Sequence, residues 1–329
     1  MISMYDGHNR KINYLRVSVT DRCNFRCVYC MPTQGVNMLR HEEILTYEEL
    51  LRIIRVVSHH GVSKIRLTGG EPLVRRGIID FIRNIADLKT ITDISLTTNG
   101  SLLATMATKL KAAGLTRVNI SLDTIDPDQF QNITRGGDVN ETIRGMEAAL
   151  TAGLIPVKLN VVLTNIITER DLAYFVDLVH REPISIRFIE YMPIGESQLA
   201  AGPSIEEIKA MINAFGRGTL KPTLDIRGNG PAKYFYLPQA KGSFGFITPI
   251  SDHFCGVCNR IRLTADGKFK PCLLSNQEID VKAALRDGAS DNDIVELFYN
   301  TIADKPQGHT LTNAGGETKF FRKMSQIGG

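Results

Sequence analysis

Between about residue 12 and residue 192, short runs of apolar and β-branched residues alternate with stretches of helical periodicity. The runs Tyr14–Thr20, Lys64–Thr68, Asp93–Asn99, Arg117–Asp123, Pro156–Leu163 and Ile184–Met192 read as strands. The best-marked helix opens at Thr46 with Glu49 three residues on, a pairing in which each side chain caps the other's backbone N–H. Leu50, Ile53, Ile54 and Val57 then recur at helical spacing, and Gly61 supplies the stop. Regular strand–helix alternation predicts an α/β fold with a parallel sheet. Six strands in one series suit an open or partial (βα) barrel, with a doubly wound sheet as the rival.

One face of these strands is polar: Arg16, Ser18 and Thr20; Lys64, Arg66 and Thr68; Ser95, Thr97 and Asn99; Asn119, Ser121 and Asp123; Lys158 and Asn160. The other face is apolar, as in Leu15, Val17 and Val19, or Val118, Ile120 and Leu122. Taken alone, that is the pattern of an antiparallel sheet with one wet face. The intervening helices argue instead for a curled parallel sheet whose apolar face packs on helices. Ordinary βα barrels fill their interior with branched apolar residues. A polar, cationic interior therefore predicts a lumen occupied by a polar ligand.

The texture changes after about residue 200, which divides the chain into a barrel part, 1–200, and a C-terminal α+β extension, 201–329. Helical patterns at 204–215, 278–287 and 291–303 flank β-rich runs at Tyr234–Leu237 and Phe244–Ile247. No internal repeat appears beyond the βα units.

The 329 residues are 43% hydrophobic, enough to build a full core without disulfides. The net charge of +4, from 39 basic and 35 acidic residues, is too mild to argue for a nucleic-acid partner. No apolar run approaches the ~20 residues of a membrane helix, and the N-terminus lacks the apolar core of a signal peptide. The expected compartment is the cytoplasm, where thiols stay reduced.

The six cysteines split three and three. Cys23, Cys27 and Cys30 follow the first strand directly, at the end where βα barrels place active sites. A zinc site wants a fourth protein ligand, and this segment holds no His. Three thiolates can hold three irons of a [4Fe–4S] cube and leave the fourth open. In the second group, Cys255, Cys258 and Cys272, Asp266-Gly267 predicts a hairpin that folds Cys272 back beside Cys258. A zinc ion with His253 as fourth ligand and a second three-ligand cluster both remain open there. Arg260 and Arg262, two apart on a strand, point the same way and suit phosphate or base edges.

Leu15 to Pro32, carrying the Cys-x3-Cys-x2-Cys spacing, with Gly69-Gly70-Glu71-Pro72 after the second strand, resembles the radical S-adenosylmethionine (SAM) enzymes. Ile65–Pro72, the second cysteine group with Asn259–Arg262, and the terminal Gly328-Gly329 extend the resemblance over nearly the whole chain, to the GTP 3′,8-cyclase family. The resemblance implies an incomplete (βα)6 TIM-type barrel, two [4Fe–4S] clusters, and a C-terminal α+β extension carrying the second. It implies reductive cleavage of SAM to a 5′-deoxyadenosyl radical, abstraction of the 3′ hydrogen of GTP, and closure onto C8 of the guanine. It gives Tyr29, Gly70, Ser121 and Met192 to SAM. It gives Arg16, Arg66, Thr97, Lys158 and the run Arg260–Ile261–Arg262 to GTP, with Lys64, Thr68 and Arg187 as further triphosphate contacts. Arg260, Arg262, Gly328 and Gly329 take part in catalysis on this reading. Cyclic pyranopterin monophosphate synthase would follow in the pathway. The electron donor is unidentified, and a homodimer is left open.

The residues support this independently. No Gly-x4-Gly-Lys-Ser/Thr loop occurs, so a triphosphate would need side-chain cations, and the inward face offers Arg16, Lys64, Arg66 and Lys158. The competing readings are another radical SAM enzyme with an auxiliary cluster, which would carry more C-terminal cysteines, and a zinc-binding nucleic-acid module.

Overall fold

The computed structural model describes residues 4–32, 34, 37–194, 199–224, 230–311 and 322–328. The six expected strands form within their predicted runs: β1 (Tyr14–Ser18), β2 (Lys64–Thr68), β3 (Asp93–Thr98), β4 (Arg117–Ser121), β5 (Val157–Leu163) and β6 (Ile184–Glu190). Helices separate them. That at Tyr47–His59 is capped as expected: the Glu49 N–H donates to Thr46 Oγ1 at 3.1 Å, and the Thr46 N–H to Glu49 Oε2 at 2.8 Å. Gly61 closes the turn after it at φ +112°, where a side chain would be strained.

The extension adds β7 (Lys221–Thr223), β8 (Lys233–Tyr236), β9 (Ser243–Ile247), β10 (Arg260–Leu263), β11 (Lys268–Lys270) and β12 (Ile279–Asp280). All twelve belong to one sheet, in the order β12-β11-β10-β1-β2-β3-β4-β5-β6-β9-β8-β7. From β10 to β9 every pairing is parallel. The extension therefore flanks the barrel strands on both sides, adding β10 beside β1 and β9 beside β6. An exposed strand edge is a row of unpaired N–H and C=O groups, and the extension covers both.

Parallel pairing excludes the antiparallel, wet-faced alternative. Val17, Leu67, Leu96, Val118, Leu159 and Ile186 are wholly buried in one core with the helix residues Ile53, Ile82, Leu110 and Phe175. Each such side chain contributes roughly 1.5–3 kcal/mol. The polar face is also buried: Arg16, Ser18, Arg66, Thr68, Ser95, Asn119, Lys158 and Arg187 are all less than a tenth exposed. It faces a lumen rather than solvent.

The register fixes where the cysteines lie. Tyr14 pairs with Arg260. Cys258 thus precedes β10 at the level where β1 begins, whereas Cys23 follows β1. Asp266-Gly267 turns the chain as expected, with Gly267 at φ +76° and Arg262 paired with Lys270, which returns Cys272 toward Cys258. The two trios occupy opposite ends of the parallel sheet, roughly 20 Å apart at ~3.3 Å per residue.

Candidate active site

Cys23, Cys27 and Cys30 stand on a loop braced by its neighbours. The N–H groups of Arg26 and Val28 donate to the carbonyls of Thr134 and Ile133 at 2.9 Å each. Arg135 donates to the carbonyls of Arg26 and Met31 at 3.0 and 3.1 Å. Gly69 and Gly70 let the β2 tip lie against this loop. A Cβ at Gly69 would stand 2.5 Å from the Thr20 carbonyl oxygen, and one at Gly70 2.4 Å from that of Arg22. No other residue fits.

Burial pushes all three thiols up, Cys30 to about 12, and neighbouring sulfurs raise Cys27 and Cys30 further. Buried thiolates in this setting need a metal to hold their charge. A tetrahedral zinc with Zn–S of ~2.3 Å would draw its sulfurs within about 4 Å of one another. Among the described residues neither cysteine trio packs that closely, which suits the wider ligand spacing of a cube. The Phe25 N–H donates to Cys23 Sγ at 3.3 Å, a contact of the kind that tunes a cluster's sulfurs.

Around this end, Tyr29, Gly70, Ser121 and Met192 line one cavity of about 340 Å³. Tyr29 donates its hydroxyl to Asp123 Oδ2 at 2.6 Å, and Asp123 Oδ1 accepts from the Val162 N–H at 2.8 Å. Glu71 is wholly buried and accepts from Thr98 Oγ1, the Leu73 N–H and the Asn99 N–H at 2.8, 3.0 and 2.7 Å. Burial lifts its carboxyl to about 7 despite these bonds.

Deeper in, cross-strand register places Arg262 beside Arg16 and Arg16 beside Arg66. Like charges directly opposite destabilise a sheet. Burial, with the neighbouring guanidiniums, lowers the Arg66 and Arg262 pKa values to about 10 and holds that of Arg16 well below its ordinary value. Such a row is favourable only around an anion. Arg187 donates to Asn119 Oδ1 at 2.7 Å. Lys158 Nζ donates to Tyr234 Oη at 2.8 Å, and burial, then Arg187, Arg117 and Arg66, bring its amine to about 6. Thr68 and Thr97 line the same cavity, and Thr97 Oγ1 is buried without a partner there.

Three of the expected GTP positions sit differently. Lys64, which starts β2, and Lys158, which bonds Tyr234, are not among the cavity-lining residues. Ile261 buries its side chain in the core, leaving only its main chain for a ligand.

At the far end, Cys255, Cys258 and Cys272 line the cavity with Arg260 and Arg262. Lys305 Nζ donates to the carbonyls of Arg260 and Pro271, each at 2.8 Å. Burial pushes the Cys258 thiol up, but Arg260 and Lys305 outweigh it and bring it down to about 6. His253, Cys255 and His309 bring one donor atom each within 4.8 Å of one another. The structure thus does place His253 beside a cysteine of this group.

The chain's end enters the lumen. The Gly328 carbonyl accepts from Arg16 Nη2 at 3.0 Å and Thr68 Oγ1 at 2.9 Å, and the Ile327 carbonyl from Arg262 Nη1 at 3.2 Å. Gly329 lies outside the described residues. Sequence reasoning gave no role to Asp123, Asn160, Lys305 or Tyr234. Asp123 and Asn160 carried a signal, since both fall on the polar strand face. Lys305 and Tyr234 carried none.

Two family models match the chain: the radical SAM superfamily over residues 17–179 and molybdenum cofactor synthesis C over residues 184–311. Over its whole length the chain is similar to GTP 3′,8-cyclases. It is 48% identical to that of Desulforamulus reducens over 328 residues, 49% to that of Heliobacterium modesticaldum over 329, and 48% to that of Moorella thermoacetica over 328. Each alignment covers 99% of this chain and all of the relative. The chain belongs to the GTP 3′,8-cyclase family. Its fold is shared with Streptococcus suis SuiB, at a TM-score of 0.61 and 15% identity over 91% of this chain and 68% of that one. SuiB bound to S-adenosylmethionine gives a TM-score of 0.59, at 14% identity over 87% of this chain and 69% of that one. The two family models adjoin near the start of β6, and one continuous sheet spans both. No helix among the described residues is long and apolar enough to cross a membrane.

Proposed function

We propose that this chain converts GTP to (8S)-3′,8-cyclo-7,8-dihydroguanosine 5′-triphosphate, an early step of molybdenum cofactor biosynthesis. The observation that carries the reading is the buried row Arg262, Arg16, Arg66, set between two cysteine trios at opposite ends of one lumen. Cys23, Cys27 and Cys30 would hold one [4Fe–4S] cluster, and Cys255, Cys258 and Cys272 the second. Bound there, the first supplies the electron that splits SAM to a 5′-deoxyadenosyl radical, and the second an open iron for the guanine.

The chain's own groups do the rest. Tyr29, Gly70, Ser121 and Met192 would hold SAM at the first site, where Gly70 lets a ligand approach the backbone. Arg16, Arg66, Thr68, Thr97, Lys158, Arg187, Arg260 and Arg262 would hold GTP. Lys64 acts from the rim, and Ile261 offers main chain only. Bound phosphates would relieve the repulsion among the arginines, which orients the nucleotide as it binds. Buried lumen side chains keep water from a reactive carbon radical. The carbonyls of Ile327 and Gly328 rest on Arg262, Arg16 and Thr68, three of the same donors. The terminal Gly328-Gly329 would therefore lie against the bound substrate and take part with Arg260 and Arg262 in the reaction.

A barrel part over 1–200 and a substrate-completing extension over 201–329 fit this division of labour. Six free thiols suit a reducing cytoplasm. The product would pass to cyclic pyranopterin monophosphate synthase, with a separate electron donor and, in one arrangement, a homodimer. Anaerobic incubation with SAM and a reductant should form 5′-deoxyadenosine in a GTP-dependent way. Equal formation without GTP would contradict the substrate assignment.

His253, Cys255 and His309 favour one second reading, a zinc ion at the extension's site. Metal analysis separates the two: about eight irons for two cubes, or about four irons with one zinc.

A further inference from the structure

Arg187 on β6, Gly245 on β9 and Tyr234 on β8 are paired in register across three adjacent strands. Glycine inside a strand marks a close approach, and here the approaching group is the Tyr234 ring. A Cβ on Gly245 would stand 2.8 Å from Tyr234 Cε1 and 3.1 Å from Arg187 Cγ. Without a side chain at 245, the ring lies across β9 and its hydroxyl reaches the inward face of the barrel. There it accepts from Lys158 Nζ at 2.8 Å and meets the Arg187 guanidinium. Lys158 Nζ also lies 4.9 Å from the centre of the ring.

The hydroxyl thus ties Lys158 on β5 to Arg187 on β6, and the Arg187 side chain lines the cavity. We propose that Tyr234 is a substrate-positioning residue: its hydroxyl holds Arg187, which lines the cavity, and Lys158 beside it in place for the phosphate end of the nucleotide. Gly245 is the notch that admits it. The proposal rests on the GTP reading above, and the test separates the two.

The test compares equilibrium binding of GTP and of guanosine to cluster-loaded wild type, Tyr234→Phe and Gly245→Ala. Tyr234→Phe keeps the ring in the notch and removes only the hydroxyl. GTP binding should weaken about tenfold or more, as for a lost bond to a charged group. Guanosine binding, iron content and kcat at saturating GTP should stay near wild type. Gly245→Ala should give the same GTP-selective loss. Wild-type GTP affinity in Tyr234→Phe would overturn the proposal, and so would equal weakening of GTP and guanosine, which marks a structural role. Failure of wild type to bind GTP would overturn the substrate reading itself.

Discussion

Cys27 stands beside Cys30 and Asp123, and Glu71 acts on Cys23; Cys258 stands beside Arg260 and Lys305. Burial penalises charge at both sites, but at Cys27 the neighbouring charges add to that penalty, whereas at Cys258 Arg260 and Lys305 outweigh it. Anionic surroundings make an added electron costly, which suits a cluster that must give its electron up. Cationic surroundings stabilise negative charge, which suits a cluster that stays put while a polyanion binds next to it. Construction differs as well. The first trio spans one short loop, held by Gly69, Gly70 and Arg135. The second is gathered from the two ends of the β10–β11 hairpin and fastened by Lys305.

Removing one ligand from each site gives the largest effect and tests whether the roles are separate. Cys27→Ala should lose about half the iron and essentially all SAM cleavage, on the order of a thousandfold or more. Cys258→Ala should also lose about half the iron, yet still form 5′-deoxyadenosine while making no cyclised product. Loss of SAM cleavage to the same degree in both would erase the distinction.

A smaller effect is expected where the tail meets the lumen. Gly328 has φ +77°, and a Cβ there would stand 2.7 Å from Thr68 Cγ2. Gly328→Ala should lower product formation about tenfold or more, and deletion of Gly328-Gly329 should abolish it. Both variants should keep full iron content, since the tail holds no cysteine. Undiminished product yield from the deletion would show that the tail only rests in the lumen.

The smallest effect, counted per pH unit, is a pH dependence set between the two sites. Lys158 is held at about 6, chiefly by burial and then by Arg187, Arg117 and Arg66. A bound triphosphate would restore its charge, so binding takes up a proton. Between pH 7 and 9, GTP affinity should fall by up to about tenfold per unit as pH rises, and Lys158→Met should flatten that slope. The same group affects folding with the opposite trend. Its folded pKa lies below the ordinary 10.5, so the unfolded chain binds more protons between pH 6 and 10.5. Its contribution to stability therefore rises with pH across that window.

Strand alternation placed Arg16, Arg66, Ser95, Asn119 and Lys158 on one inward face, because a period of two is local information. The first cysteine loop was legible for the same reason. Lys64 satisfied the alternation too, yet it does not line the cavity, although Tyr14 and Arg260 at the same register level do. The parallel partners of β9 and β10 were not legible, since β6 and β1 lie far away in the chain. Tyr234 lies 76 positions from Lys158, and its reach depends on a missing side chain at 245. Lys305 acts through two carbonyls that no pattern announces.

The account's central claim is that one lumen holds GTP within reach of the radical formed at the first site. The most direct measurement is anaerobic turnover of GTP deuterated at the 3′ carbon, with SAM and a reductant, followed by mass analysis of the 5′-deoxyadenosine. The account predicts one deuterium transferred to it in step with cyclised product. Unlabelled 5′-deoxyadenosine formed alongside that product would contradict it.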